Sequence, residues 1–519
     1  MNRRINSLFA SRARRPAPGY AVGVMWDGRI VHASGYGMAD LEFRAPITPA
    51  TGFHVASLSK QFTAFAVLLL AADGKLSLDD RVRRYVPEMP ACGARITLRH
   101  LLHHTSGLRD QSPLLKLAGW RPMDERTEGD VLDLVQRQRR LNFQPGEDFA
   151  YCNTGYTLLA IIVRRVSDSP LRVFAEKRIF KPLGMTATRF RDDHTELVSG
   201  RAKAYKREAR PFQFWVPNFD LAGSTGLHTT VGDLLRWARN LLHPWVGGAD
   251  VVQALLSPGR LNDERSVAYG AGVEIGFHLG LPTVKHSGWD LGYEAHLAVY
   301  PTQRFAVAIL GNLSPLQPWL KARRVAELCL AGRFPERPVA TIKLPKAELS
   351  RKTGVYRHPR NGMVLWVTPS RGGLQISSGR ALGAGSGVVL KALDSSTFRA
   401  DDKTTTVVFD DTGLTMRAAI GVEQRFERAV RWVPRKAALK AYAATYLCPE
   451  LDAHLTFSVA KSGLAAAQRK SLPRAVSPAC KDTFTDDKAT YAFTRGRGGK
   501  VEGVTLSFER VHHLRFNRL

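Results

Sequence analysis

Residues 57–72 read Ser-Leu-Ser-Lys-Gln-Phe-Thr-Ala-Phe-Ala-Val-Leu-Leu-Leu-Ala-Ala. The apolar run Phe62 to Ala72 is too short to cross a bilayer and predicts a buried helix over Gln61 to Ala72. Ser57 and Lys60 stand at the head of that helix, three residues apart and so on one face. That spacing brings an amine within reach of a hydroxyl, which is a weak nucleophile until a neighbour takes its proton. The helix N-terminus adds a partial positive charge that favours negative charge developing there. Composition alone yields about one Ser-x-x-Lys in a chain like this. A second copy, Ser458 to Lys461, falls on a predicted strand, where residues three apart face opposite sides. The residues that accompany Ser57 therefore carry the argument.

Tyr151-Cys152-Asn153 follows the turn Pro145-Gly146 and precedes a buried helix, Thr154 to Ser167, which places a phenol and an amide together at the mouth of a loop. A tyrosine beside a lysine cation has its pKa pulled down, which would let Tyr151 act as a general base toward the serine. Asn153 can donate to a substrate carbonyl. Further on, His286-Ser287-Gly288 precedes Trp289 and a strand pair, and on an edge strand it could close the site. The pair His103-His104 is read as packing and hydrogen bonding beneath the site floor.

In this order, with His104-Thr105-Ser106-Gly107-Leu108 between them, the three elements resemble the serine β-lactamase and penicillin-binding protein superfamily, in its class C and D-peptidase branch. The resemblance covers most of residues 20 to 330. Ser57 to Thr63, Ser106-Gly107-Leu108-Arg109-Asp110 and Tyr151-Cys152-Asn153 are particularly similar to the bacterial D-aminopeptidases. The resemblance implies an acyl-enzyme mechanism with Ser57 as nucleophile, Lys60 and Tyr151 handling protons, and His286 as a further catalytic-site residue. Asn153, Gly288 and Trp289 would bind substrate, and the backbone N–H groups of Ser57 and Trp289 would hold the oxyanion. Where β-lactamases of this branch have Lys-Thr-Gly, this chain has His286-Ser287-Gly288, and a mostly neutral histidine is a poorer anchor for the antibiotic's carboxylate. The implied activity is therefore hydrolysis of amides or peptides containing D-amino acids. A carboxylesterase and a slow-turnover penicillin-binding sensor on the same scaffold are the alternatives. In the D-aminopeptidases a loop of the last domain reads the substrate's amino group; the comparable region here, Leu472 to Asp482, offers Asp482 as a candidate.

Tyr20 to Trp26, the turn Asp27-Gly28 and Arg29 to Gly37 read as a β-hairpin. Helices are predicted at Asp130 to Arg140, Val231 to Leu242 and Trp319 to Leu330, and strands at Ala295 to Tyr300 and Phe305 to Leu310. An early hairpin and late strands enclosing helices predict one antiparallel sheet assembled from both ends, an α+β layout with a helical subdomain over residues 1–334. A Pro-rich linker spans Arg333 to Lys346. Beyond it the sequence repeats at a constant offset of 90 residues. Leu349, Gly354 and Tyr356 recur as Leu439, Ala444 and Tyr446; Gly413, Thr415, Arg425-Phe426 and Arg428 recur as Gly503, Thr505, Arg515-Phe516 and Arg518. Short alternating runs predict two small antiparallel barrels, at 345–433 and 434–519. The D-aminopeptidases carry two such C-terminal barrels.

The formal charge of +29 invites a nucleic-acid reading, but the basic residues are spread through every segment and no groove-reading motif accompanies them, so specific nucleic-acid binding is not expected. The five cysteines form no pair at metal-site spacing, so no metal or other cofactor is expected. Cys448 and Cys480, which share the last predicted domain, read as free buried thiols, with a pairing as the alternative if the protein is exported. Met1 to Pro18, with Arg14 and Arg15, lacks the apolar core of a secretory signal, and no transmembrane segment is expected. As written the chain reads as cytoplasmic; a mis-assigned start would make it periplasmic or extracellular. The expected partners are a small peptide, amide or ester substrate and, as an assembly, a possible homodimer.

Overall fold

The computed structural model describes residues 1–13, 16–207, 212–335, 340–377, 387–400, 405–418, 421–461, 463–469 and 471–519. Arg14, Arg15 and residues 336–339 of the linker lie outside the described residues. The chain opens with α1 (Asn2–Ala13), followed by β1 (Tyr20–Trp26) and β2 (Arg29–Tyr36). Asp27 and Gly28, at φ +48° and +75°, form the two-residue turn that matches the twist of paired strands. The helices α2 (Ser59–Ala72), α3 (Gln111–Leu117), α4 (Glu128–Arg137), α5 (Asn153–Ser167) and α6 (Val231–Leu242) come next. Then follow β3 (Glu274–His278), β4 (Leu281–Asp290), β5 (Tyr293–Tyr300), β6 (Phe305–Gly311) and α7 (Pro318–Cys329).

The sheet runs β3-β4-β5-β6-β1-β2. Strands from the two ends of the first 330 residues therefore meet at its centre, where Tyr20 pairs with Gly311 and Trp26 with Phe305. Period-2 alternation sorts the central side chains to two faces. Ala306, Ala308 and Leu310 join the large core that includes α2 and α6. Val307, Ile309, Val22 and Val24 face α1 and α7, with Ile5 and Phe9 of α1 fully covered. No element was expected at the N-terminus, because its Arg-rich face hides two core side chains in a short helix. α4 starts two residues earlier than the apolar spacing suggested, since Thr127 and Asp130 form a capping box.

Two closed eight-stranded antiparallel barrels follow, the first from β7 (Gly354–Arg357) to β14 (Gln424–Ala429), the second from β15 (Ala444–Cys448) to β22 (Val511–Arg518). The duplication extends to single hydrogen bonds. Tyr356 Oη donates to Lys352 O and Tyr446 Oη to Tyr442 O, and Arg428 and Arg518 each bond two carbonyls at equivalent positions, 351 and 353, 441 and 443. Cys448 and Cys480 are buried and unbridged. No helix among the described residues is long and apolar enough to cross a membrane.

The second barrel docks on the first domain beside α3. Leu114, Leu115 and Leu117 of α3 enter its core beside Tyr446 and Leu455. Arg109, 1% exposed, bonds Glu450 at 2.7 Å, and a buried charge of this kind is tolerated only when paired. Asn142 then grips the turn between β21 (Val501–Phe508) and β22: its Nδ2 donates to Arg510 O at 3.0 Å and its Oδ1 accepts from His512 N at 2.8 Å.

Candidate active site

The nucleophile turn sits between the sheet and α2. Ala56 adopts φ +47°, a left-handed conformation costly for a residue with a Cβ. Ser59 holds it there, its Oγ donating to Ala56 O at 2.6 Å and accepting from Leu227 N at 3.0 Å. Ser57 emerges into a cavity of about 680 Å³, which it shares with Tyr151, Asn153, Trp289, Asp290 and Arg510.

Lys60 is fully buried. Its Nζ lies 3.1 Å from Ser57 Oγ, 2.8 Å from Asn153 Oδ1 and 2.8 Å from Ser224 O. Two of these partners can only accept. A neutral amine has two N–H donors for them and one lone pair left, and that lone pair faces the one partner able to donate, the serine hydroxyl. Burial pushes the Lys60 pKa down to about 7, with Arg510 helping and Asp110 opposing.

Tyr151 behaves oppositely to expectation. Its ring packs with the Lys60 amine 4.9 Å and the Arg510 guanidinium 5.7 Å from its centroid. Burial nevertheless raises the phenol's pKa well above its ordinary value, and Ser57 and Arg510 only partly offset this. Desolvation penalises the phenolate more than the Ser57 hydrogen bond and the Arg510 guanidinium favour it. Lys60 is the group poised to lose a proton near neutrality, and Tyr151 stays protonated, its hydroxyl buried beside Ser57.

Asn153 is placed at the first turn of α5, but both ends of its amide are already engaged. Oδ1 accepts from Lys60, and Nδ2 approaches Asp110 Oδ1 at 3.4 Å. Asp110, fully buried, also accepts from Asn153 N at 2.5 Å and from Arg510 Nη2 at 3.3 Å. A chain of contacts thus runs from the second barrel through Asp110 and Asn153 to Lys60.

His286 is 2% exposed. Its Nδ1 donates to Ser287 O at 2.6 Å, which leaves Nε2 to accept from Tyr269 Oη at 3.0 Å. Burial, with Lys60 adding to it, drives its pKa to about 3, so it is a neutral side chain behind Tyr151, with no bond to Ser57 or Lys60. His104 takes the packing place read for it: its ring lies 4.3 Å from that of Tyr151, and its Nδ1 accepts from Cys152 N at 3.1 Å.

β3 covers β4 only as far as the pair Glu274–Lys285, so the edge of β4 is open from His286 to Asp290, facing the nucleophile turn. A Cβ on Gly288 would stand 2.1 Å from Val55 O. Only glycine lets this edge approach the serine so closely. Gly288→Ala is expected to lower stability by roughly 1–3 kcal/mol through overpacking and to cut kcat/KM by about 100-fold through misplacement. Thermal melting and kinetics test this; wild-type values for both would refute it. Trp289 is 66% exposed at the cavity, its indole donating to Ser314 Oγ at 2.9 Å.

Asp482 is elsewhere: it pairs with Arg495 at 2.7 Å and accepts from Tyr442 Oη at 2.7 Å inside the second barrel. The barrel reaches the cavity instead through Glu509 and Arg510. Sequence reasoning missed Asp110, Ser224, Asp290 and Arg510. Asp110 had a signal, since it ends the quoted stretch Ser106–Asp110; Arg510 had none.

A sequence profile of the beta-lactamase family matches residues 5–330. Penicillin-binding protein 4* of Bacillus subtilis is 30% identical over 351 residues, covering 63% of this chain and 77% of that protein. D-aminopeptidase of Gluconobacter oxydans is 27% identical over 381 residues, 71% of this chain and 69% of that one. Among solved structures, the octameric penicillin-binding protein homologue from Pyrococcus abyssi shares the fold at a TM-score of 0.58 and 24% identity. It covers 82% of this chain and 99% of its own.

Proposed function

This chain belongs to the beta-lactamase family, and from that membership and the geometry at Ser57 we propose that it is a serine hydrolase forming an acyl-enzyme on Ser57, acting on amides or peptides of D-amino acids. The single observation that carries the reading is the Lys60 amine, buried with two obligate acceptors and the Ser57 hydroxyl. In its neutral form Lys60 takes the Ser57 proton as the oxygen attacks the substrate carbonyl. The open edge at Trp289 and the N–H of Ser57 supply donors to the oxyanion. Protonated Tyr151, beside Ser57, passes its hydroxyl proton to the leaving group and regains one from Lys60. Water then attacks the ester, Lys60 taking its proton and returning it to the departing Ser57 oxygen. Asn153, His286 and Gly288 act by position, holding Lys60, Tyr151 and the β4 edge.

The third motif provides no fixed cation, because His286 is buried and neutral, which speaks against efficient β-lactam hydrolysis. Similarity to a D-aminopeptidase and the paired barrels support the D-amino-acid substrate class.

The test is a panel of D-Ala-p-nitroanilide, p-nitrophenyl acetate and nitrocefin together with fluorophosphonate labelling. Turnover of the anilide is the expected result. Turnover of esters alone would select a carboxylesterase, and stable penicillin acylation without turnover would select a sensor. On the neutral ester, kcat/KM should rise with pH through a single ionisation near 7, because the active form has lost the Lys60 proton. A flat profile between pH 5 and 9 (about two units either side) would remove Lys60 as the base.

A further inference from the structure

Asp110 and Lys60 stand on either side of Asn153, and both are fully buried. The Asp110 carboxylate caps α3 by accepting from Ser112 N at 2.9 Å, and it accepts from Asn153 N at 2.5 Å at the head of α5. Asn153 Nδ2 approaches it at 3.4 Å, while Asn153 Oδ1 accepts from Lys60 at 2.8 Å. A carboxylate so placed favours the ammonium form of Lys60, which cannot take a proton from Ser57.

The charged side chains that act most on the Lys60 amine are Asp110, Arg510 and Asp290. Its other titratable neighbours are neutral: burial lifts the Tyr151 and Tyr156 phenols and the Cys152 thiol, and it lowers His104 and His286. Asp290, at the end of β4, has its cations within the first domain, His54 at 3.4 Å and Arg126 at 3.9 Å. Asp110 does not. Among the described residues its paired cation is Arg510 Nη2 at 3.3 Å, which comes from the turn between β21 and β22 of the second barrel. Asn142 fixes that turn through Arg510 O and His512 N, and the guanidinium lies 5.7 Å from the centre of the Tyr151 ring. An arginine keeps its charge at any working pH.

We propose that Arg510 is a positioning residue through which the second barrel makes Lys60 competent as the base: by pairing with Asp110 it offsets that carboxylate's hold on the Lys60 ammonium, so that Ser57 is activated only with the barrel docked. This rests on Ser57 as the acylated residue with Lys60 as its base, and deepens that reading by naming what sets the protonation of the base.

The test is the pH dependence of kcat/KM for p-nitrophenyl acetate in the full chain, as wild type, Arg510→Gln, Arg510→Lys and Asp110→Asn. In Arg510→Gln the midpoint is expected to rise by about 1–2 pH units, the effect of a neighbouring carboxylate left unopposed. At pH 7 that is a loss of roughly 5- to 50-fold, which fades at alkaline pH. Arg510→Lys, which keeps the charge, should hold the midpoint near that of wild type. A midpoint unmoved in Arg510→Gln, or raised equally in Arg510→Lys, overturns the proposal; a lower plateau at the same midpoint would mark a merely structural contact, and a change in KM alone a substrate contact. If Arg510→Gln does not fold, Asp110→Asn decides: its midpoint should fall below that of wild type, and an unmoved one overturns the proposal. If wild type turns over no ester, the hydrolase reading fails separately. Titration of Lys60 by NMR of the protein labelled with 13C-lysine, its signal assigned by loss in Lys60→Met, then tests the proposal directly. The same rise in Arg510→Gln supports it, and an unchanged titration overturns it.

Discussion

Ser57→Ala is expected to remove fluorophosphonate labelling entirely and to lower kcat/KM on any substrate the protein turns over by at least about 10,000-fold. The oxygen it deletes is the only group in the turn placed to form the acyl bond. Lys60 Nζ is 3.1 Å from that oxygen and its two other partners are acceptors. The fold should survive, because Ser59, not Ser57, ties the turn to Ala56 and Leu227. An unchanged melting temperature beside lost activity is the predicted signature. Labelling that persists in Ser57→Ala would sink the acyl-enzyme account.

Lys60→Met is expected to cost about 1,000- to 10,000-fold in kcat/KM, the range for losing a positioned general base. Methionine fills a similar volume but leaves Asn153 Oδ1 and Ser224 O without a donor, at roughly 1–3 kcal/mol each. Part of that is offset because a buried amine no longer has to be desolvated. The discriminating variant is Lys60→Arg. A guanidinium cannot give up its proton at any working pH. Lys60→Arg should therefore be as inactive as Lys60→Met if the neutral amine is the base. Activity within about tenfold of wild type would show that positive charge at this position suffices and that the proton goes elsewhere.

The Tyr151 phenol has a raised pKa where its motif predicts a lowered one. Nearness of Tyr151 to a lysine was legible from the motifs, and a cation does lower a tyrosine's pKa. What the motifs could not convey is that the phenol is buried so deeply that desolvation outweighs the hydrogen bond from Ser57 and the charge of Arg510. The same burial acts on Lys60 in the opposite sense, so that of the two side chains expected to handle protons it is Lys60 whose pKa falls to about 7. His286 follows the same rule: its ordinary pKa made a mostly neutral ring the expectation, and burial makes it neutral outright.

Asp482 lies away from the cavity for a different reason. Asp482 was chosen by analogy of position along the chain. The second barrel, however, is fixed by Arg109 on Glu450 and by Asn142 on the turn at Arg510. Those contacts bring the turn between β21 and β22 to the cavity and leave Asp482 to Arg495.

The buried helix behind Ser57, the order of the three motifs, the hairpin that starts the central sheet and the duplication of the barrel are all legible along the chain. All of these are written in short-range periodicity or in comparison of the chain with itself. The direction in which the Lys60 and Tyr151 pKa values move, and the charges brought together around Ser57, come from the folded chain alone. Both depend on depth of burial and on distances between residues hundreds of positions apart, such as Asp110 and Arg510 at 3.3 Å, and a local pattern of side chains encodes neither.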